Sequence, residues 1–163
     1  MDDDLLGETT VRRYDRQLRY FGDLAPATVA RGDYQRRLAA ARVVVLGLGG
    51  LGGWTAYALA CSGIGTLVAV DGDVVEWSNM NRQILYRETD VGAGKAEAAA
   101  RALRAFNSDI VVEPITRMLR SQADIEAVVA GADFVVDAAD TPVHEIERWV
   151  NAACFAQRVP YTM

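Results

Sequence analysis

From residue 42 to its end the chain alternates two patterns. ARVVVLG, residues 41–47, is a continuous apolar run rich in β-branched side chains, as in a strand buried on both faces. LGGWTAYALACSG has helical spacing and closes on Ser62 and Gly63, a C-terminal glycine signal. TLVAVDGD is a second strand, and EWSNMNRQILY after it is irregular or a short helical turn. GKAEAAARALRAFN is an Ala-rich helix that ends at an Asn. IVVEPIT is a third strand, which Pro114 makes irregular or edge-like. SQADIEAVVAGA is a helix capped by Ser121, and DFVVDAAD is a fourth strand ending at Asp140. TPVHEIERWVNAACFAQR reads as a helix with Thr141 at its cap and Pro142 at its first position, and VPYTM begins a fifth strand. Upstream, residues 1–10 look frayed. VRRYDRQLRYF, 11–21, forms a short basic-aromatic helix, and 27–41 a helix interrupted at Gly32-Asp33.

Strands alternating with crossover helices predict an α/β fold: a Rossmann-like parallel sheet with helices on both faces, preceded by N-terminal helices. The division expected is an N-terminal helical arm, 1–41, and a nucleotide-binding domain, 42–163. Ligands of such sheets bind beyond the carboxyl ends of the strands, where every polar cluster of this sequence falls.

Composition narrows the function classes. The 163 residues suffice for one domain with a core, and 51% apolar with 24% charged is ordinary for a soluble globular protein. A net charge of −5 supplies no basic face, so a nucleic-acid partner is not expected. No apolar run approaches the roughly 20 residues of a membrane span. MDDDLLGE lacks the basic-then-apolar order of a signal peptide, so the expectation is a cytoplasmic protein without a membrane partner. Cys61 and Cys154 sit in Ala-rich helical patterns and read as small buried hydrophobes. Without a C-x-x-C pair a four-cysteine zinc site cannot be built. Trp54, Trp77 and Trp149 read as packing residues, and His144 as a surface or capping residue.

Gly47, Gly49 and Gly52 fit G-x-G-x-x-G directly between a strand and a helix. Such a turn lets a phosphate approach the backbone and the helix N-terminus. Asp71 ends the next strand, 19 residues after Gly52, where a carboxylate can accept from ribose hydroxyls. The motif alone would favour NAD or FAD. The following segment adds Asp73, Asn79, Asn81, Arg82 and Gln83 near the same mouth, and Lys95 starts the next helix. A dinucleotide has little use for two extra cations, whereas cleavage of a triphosphate between its α and β phosphates needs them on the departing pyrophosphate. Asp140 brings a carboxylate that beside phosphates would hold Mg²⁺. Asp137, inside the strand, competes for that role.

RYDRQ, GLGGLGG, VDGDVVEWSNMNRQ, DVGAGKA and VVDAAD, in that order, resemble the adenylyltransferase superfamily of thiamine and molybdopterin biosynthesis, the ThiF/MoeB type. That superfamily also includes the ubiquitin-activating enzymes, and the resemblance runs over nearly the whole chain. It implies use of ATP and Mg²⁺ to activate a carboxylate, often the C-terminus of a ubiquitin-like protein or a peptide, giving an acyl-adenylate and pyrophosphate. Carried over by position, Gly47, Gly49, Gly50 and Gly52 line the nucleotide and Asp71 holds the ribose. Asn79, Arg82 and Lys95 contact phosphates with Gln83 beside them, and Asp140 binds Mg²⁺; Asp73 either touches the metal or caps the following turn. Arg16 matches an arginine that reaches the γ-phosphate from a partner subunit, which implies a homodimer.

The chain departs from the family pattern twice. Thr141 replaces the Asn that usually follows the metal-site Asp, and Arg148 is the nearest arginine. The chain also ends at VPYTM, where the family continues into its carboxylate-binding half. The expectation is a fragment, or a remainder supplied by another chain. Three carboxylates stay open: a sulfur carrier ending in Gly-Gly, a precursor peptide, and the tRNA-bound carboxylate of threonylcarbamoyladenosine dehydratases. Two other functions also stay open: an NAD(P)-dependent oxidoreductase module, and a non-catalytic nucleotide-sensing or dimerisation subunit. Retention of Arg82, Lys95 and Asp140 weighs against the last.

Overall fold

The computed structural model describes residues 6–26 and 28–163. Five parallel strands form one sheet in the order β3-β2-β1-β4-β5: β1 is Arg42–Leu46, β2 Thr66–Val70, β3 Val111–Ile115, β4 Phe134–Asp137 and β5 Tyr161–Thr162. β1 is central because its apolar run can be buried on both faces. Val43 and Val45 join one core with the small residues of α4 (Gly50–Ser62) and α5 (Lys95–Phe106). Val44 and Leu46 join the other, with α6 (Gln122–Val129) and α7 (Glu145–Gln157). The expected α/β sheet with helices on both faces is therefore present. β3 lies at the sheet edge, as Pro114 requires of a strand it interrupts. α4 stops at Gly63 in the left-handed region (φ 77°), and Ser121 caps α6 by accepting the Asp124 N–H.

Several boundaries differ from the sequence reading. Of the stretch expected to fray, residues 1–5 lie outside the described residues, whereas 8–10 belong to α1 (Glu8–Arg13). The basic-aromatic segment is two helices, α1 and α2 (Asp15–Leu24), meeting at Tyr14. Gly32-Asp33 does not interrupt α3 (Arg31–Ala40); it forms the first turn, where the Asp33 carboxylate accepts the Ala30 N–H at 3.1 Å. The start expected at Ala27 lies outside the described residues. α7 begins at Glu145, later than expected, because the Thr141 hydroxyl donates to Asp140 and does not cap the helix. His144 takes the cap position with φ 68° and no side-chain cap bond. Cys154 is buried as expected, but Cys61 is exposed. Trp149 packs against the second core, whereas Trp54 and Trp77 are exposed.

The N-terminal helices are fastened to the sheet unit through Asn107, which is 1% exposed just beyond α5. Its side-chain amide donates to the Tyr14 hydroxyl (2.9 Å) and the Ala60 carbonyl (2.7 Å), and its Oδ1 accepts from Arg13 (2.7 Å). Gln17 and Gln35 both donate to the Ser62 carbonyl at the end of α4.

Candidate functional site

A cleft of about 760 Å³ opens beyond the carboxyl ends of β1, β2 and β4. β1 pairs with β2 on one side and β4 on the other, so its crossovers leave in opposite directions and the crevice between them is free for a ligand. The glycine turn after β1 forms its floor. Gly47 has φ 81°, and a Cβ there would lie 2.7 Å from the Ala138 carbonyl oxygen. A Cβ on Gly52 would lie 1.8 Å from the Gly47 carbonyl oxygen. Gly52 thus lets α4 pack on the turn from behind, while Gly47, Gly49 and Gly50 line the cleft.

Leu48, between the glycines, is clamped at both backbone groups. Asp71 Oδ2 accepts its N–H at 2.8 Å, and the Tyr86 hydroxyl donates to its carbonyl at 2.8 Å. Burial in the main, with the nearby Asp71 and Asp73 charges, pushes the Tyr86 phenol far above its ordinary range and keeps it a neutral donor. Sequence reasoning missed Tyr86, whose partner is 38 positions away and leaves no local signal. Asp71 Oδ1 accepts the Asp73 N–H at 2.8 Å, so its carboxylate also fixes the strand exit.

Asp73 is tied to Lys95 twice. Its carbonyl accepts the Lys95 N–H at 2.9 Å, and its carboxylate stands 3.0 Å from Nζ. The Lys95 side chain is 9% exposed, so the ion pair offsets the cost of holding an ammonium in the cleft wall. Asn79 is buried and its Oδ1 accepts the Glu76 N–H at 2.9 Å, which closes the short 3₁₀ turn Trp77–Asn79. That turn brings Arg82 and Gln83 to the cleft. Arg82 is exposed and holds the Ser78 carbonyl at 2.8 Å; Gln83 is buried with its Oε1 unpartnered.

Asp137 is the last residue of β4, and Asp140 lies three residues beyond the strand. Asp140 is exposed and accepts from Thr141. Asp137 is 5% exposed, with Oδ1 accepting the Ala139 N–H at 3.2 Å and Oδ2 unpartnered. Burial first, and the Glu147 charge in addition, raise its pKa above the usual carboxylate value. Glu147, from the first turn of α7, and Arg117, from the loop after β3, also line the cleft; sequence reasoning named neither. Every other predicted site residue except Gly52, Asn81 and Arg16 lines it too. Arg16 is on α2 with its side chain 89% exposed, away from the cleft of its own chain.

This arrangement has the parts to hold a phosphate compound at the glycine turn, with Arg82 and Lys95 on the β2 side and Asp137 and Asp140 on the β4 side. The model of the ThiF family matches residues 14–162. The chain is 43% identical over 156 residues to the SAMP-activating enzyme E1 of Haloferax volcanii, covering 95% of this chain and 54% of that protein. It is 35% identical over 158 residues to the molybdopterin-synthase adenylyltransferase of Escherichia coli, covering 95% and 58%. The crystal structure of E. coli MccB with ATP superposes with a TM-score of 0.82 at 36% identity, over 95% of this chain and 44% of that one. The chain thus spans a little over half the length of those two curated relatives.

Proposed function

The chain belongs to the ThiF family, and on that premise we propose that it takes part in ATP-dependent adenylation of a carboxylate. The observation that carries the reading is the meeting of the glycine turn, Asp71, Arg82, Lys95 and Asp140 at one cleft. In this reading Gly47, Gly49 and Gly50 present backbone to the phosphates and Asp71 takes the ribose hydroxyls through lone pairs not used by Leu48 and Asp73. A substrate carboxylate oxygen attacks the α-phosphorus, the bond to the bridging oxygen breaks, and pyrophosphate leaves. Arg82 and Lys95 stabilise the charge on that leaving group, with Asn79 and Gln83 beside them.

The residues also suit Mg²⁺. It is usually held by one or two carboxylates together with phosphate oxygens and water, and Asp140 offers an exposed carboxylate at the mouth. Among the described residues no three His, Cys, Asp or Glu side chains converge into a cage, so the ion would come with the nucleotide. When bound it would supply charge neutralisation of the phosphates. Asp73, already paired with Lys95, serves to orient that lysine. The Arg16 side chain, 89% exposed beside Asp15, is placed to reach the cleft of a second copy in this reading, which makes a homodimer part of the proposal. The SAMP-activating and molybdopterin-synthase relatives favour a ubiquitin-like sulfur carrier as the carboxylate, and a peptide is the other candidate. A cytoplasmic site of action belongs to the same reading, since ATP is the substrate.

Exchange of labelled pyrophosphate into ATP, driven by candidate carboxylates, tests the proposal. Lys95→Ala is expected to cut exchange by about 100-fold or more with the fold retained by circular dichroism. Unchanged exchange refutes the role of Lys95, and tighter binding of NAD than of ATP in calorimetry refutes the choice of nucleotide.

A further inference from the structure

Arg16 sits on a helical turn that is locked on the face opposite to it. Its own ion-pair contact is Asp15 at 3.9 Å, a carboxylate that Arg19 holds more closely, at 3.1 Å. Its neighbours at positions 14, 17 and 18 share the other face of the chain there, and all three are anchored. Tyr14, at the joint between α1 and α2, is buried, and its hydroxyl accepts from Asn107 at 2.9 Å. Gln17 uses its side-chain nitrogen twice: it donates to the Gln35 carboxamide oxygen at 2.7 Å and to the Ser62 carbonyl at 3.0 Å. Gln35, buried on α3, donates to that same carbonyl at 3.1 Å. Leu18 is buried beside them.

The seat of this turn is the C-terminal end of α4. A Cβ on Gly63 would lie 2.6 Å from Cζ of the Tyr14 ring and 2.8 Å from Gln35 Nε2, so the arm meets the helix end without slack. Capping alone does not account for the arrangement. α4 already closes through its own backbone, with the Gly63 N–H on the Ala60 carbonyl and the Ile64 N–H on the Leu59 carbonyl. One donor would satisfy the Ser62 carbonyl, yet two glutamines from two helices converge on it and on each other. Such a bonded triangle fixes the direction of α2 as well as its distance. Direction is what a long side chain needs when its target lies outside its own chain. We propose that Tyr14 and Gln17 are positioning residues for Arg16: they set the first turn of α2 against α4 so that the guanidinium is aimed at the nucleotide phosphates of a second copy. The inference rests on the adenylation reading and its arginine supplied in trans. The socket and the glycine turn are the two ends of one 13-residue helix, so the rival account is that Gln17 acts through α4 on the cleft of its own chain.

Gln17→Met keeps the size of the side chain and removes both donated bonds. The first readout is calorimetric binding of the non-cleavable ATP analogue AMPCPP with Mg²⁺, which needs no carboxylate substrate. Arg16→Ala is expected to weaken binding by about tenfold, the scale of one charge-assisted hydrogen bond. Gln17→Met is expected to weaken it by about 3–10-fold, as when α2 keeps its aim for only 10–30% of the time. The double variant should bind no more weakly than Arg16→Ala alone, because Gln17 then has nothing left to position. The second readout is pyrophosphate exchange in mixed dimers of Asp140→Ala and Arg16→Ala protein, whose one working cleft draws Arg16 from the Asp140→Ala copy. Gln17→Met in that donating copy should lower exchange by the same factor, and in the copy with the working cleft it should change nothing. Tyr14→Phe should show the same pattern and keeps the test alive if Gln17→Met does not fold. A loss from either copy alike, or only from the copy with the working cleft, overturns the proposal in favour of the rival account. Full additivity with Arg16→Ala, unchanged binding in Arg16→Ala protein, or a chain that stays monomeric in sedimentation overturns it too. The expected binding pattern without exchange by any carboxylate supports the positioning role and counts against adenylation.

Discussion

Tyr86→Phe removes one oxygen atom from the clamp on the glycine turn. The Tyr86 residue is 4% exposed and its hydroxyl bonds the carbonyl of Leu48, itself fully buried, at 2.8 Å. Phe fills the same space, so no cavity arises and the loss is the hydrogen bond together with an unsatisfied carbonyl. That combination costs about 1–3 kcal/mol. In a domain of this size the melting temperature should fall by roughly 2–4 °C for each kcal/mol. Urea unfolding followed by tryptophan fluorescence measures the loss directly. The pH dependence adds a second signature. The folded protein holds the phenol neutral above its ordinary pKa near 10, whereas the unfolded chain ionises there. The unfolded state then binds fewer protons, and stability falls as the pH rises beyond that value. Native protein should show this alkaline decline, and the Phe variant should lack the part due to Tyr86. ATP binding should weaken as well, by about 3–10-fold if the released turn spends only 10–30% of its time in the binding geometry. A variant within about 0.5 kcal/mol of the native protein, the range of neutral surface changes, would refute the clamp.

On the proposed homodimer, Arg16→Ala protein mixed with Asp140→Ala protein should regain exchange activity, since a mixed dimer would contain one intact cleft; no recovery in demonstrated mixed dimers rejects an arginine supplied in trans. Arg42 of β1 donates to Glu113 of β3 at 2.8 Å and holds its pKa below the ordinary value, so this contribution is present above the unfolded carboxylate range and fades as pH falls through it. Glu113→Gln should therefore flatten part of the acid limb of stability in a pH series of urea titrations. Asn107→Ala strips the fastening of the N-terminal helices and should cost about 2–4 kcal/mol. Limited proteolysis should then cut between Tyr14 and Ala41 before it cuts the sheet.

What was legible in the sequence was local. A β-branched run announces a strand, and Ser121 or Gly63 announces a helix end, because the deciding contacts lie within a turn. The glycine motif and the cluster from Asp71 to Lys95 were legible as a candidate site because each falls at or near a strand or helix terminus of one sheet edge. Tyr86 and Asn107 were not, since their bonds join residues 38 and 93 positions apart. Cys61 and Trp54 were misplaced for a different reason. α4 is apolar around its whole girth, so periodicity does not tell its core face from its exposed one. Thr141 had the right chemistry for a cap, and the competing Asp140 carboxylate took its hydroxyl.

The contact of Gly52 on the Gly47 carbonyl makes the turn and the helix behind it a single mechanical part. Any side chain at Gly52 must push α4 outward, and the shift would open the glycine turn with it. Evolution and protein engineers alike are therefore denied small steps at the floor of this cleft. Their latitude lies in its rim, at Leu51 and Val74, whose exposed side chains border the same space.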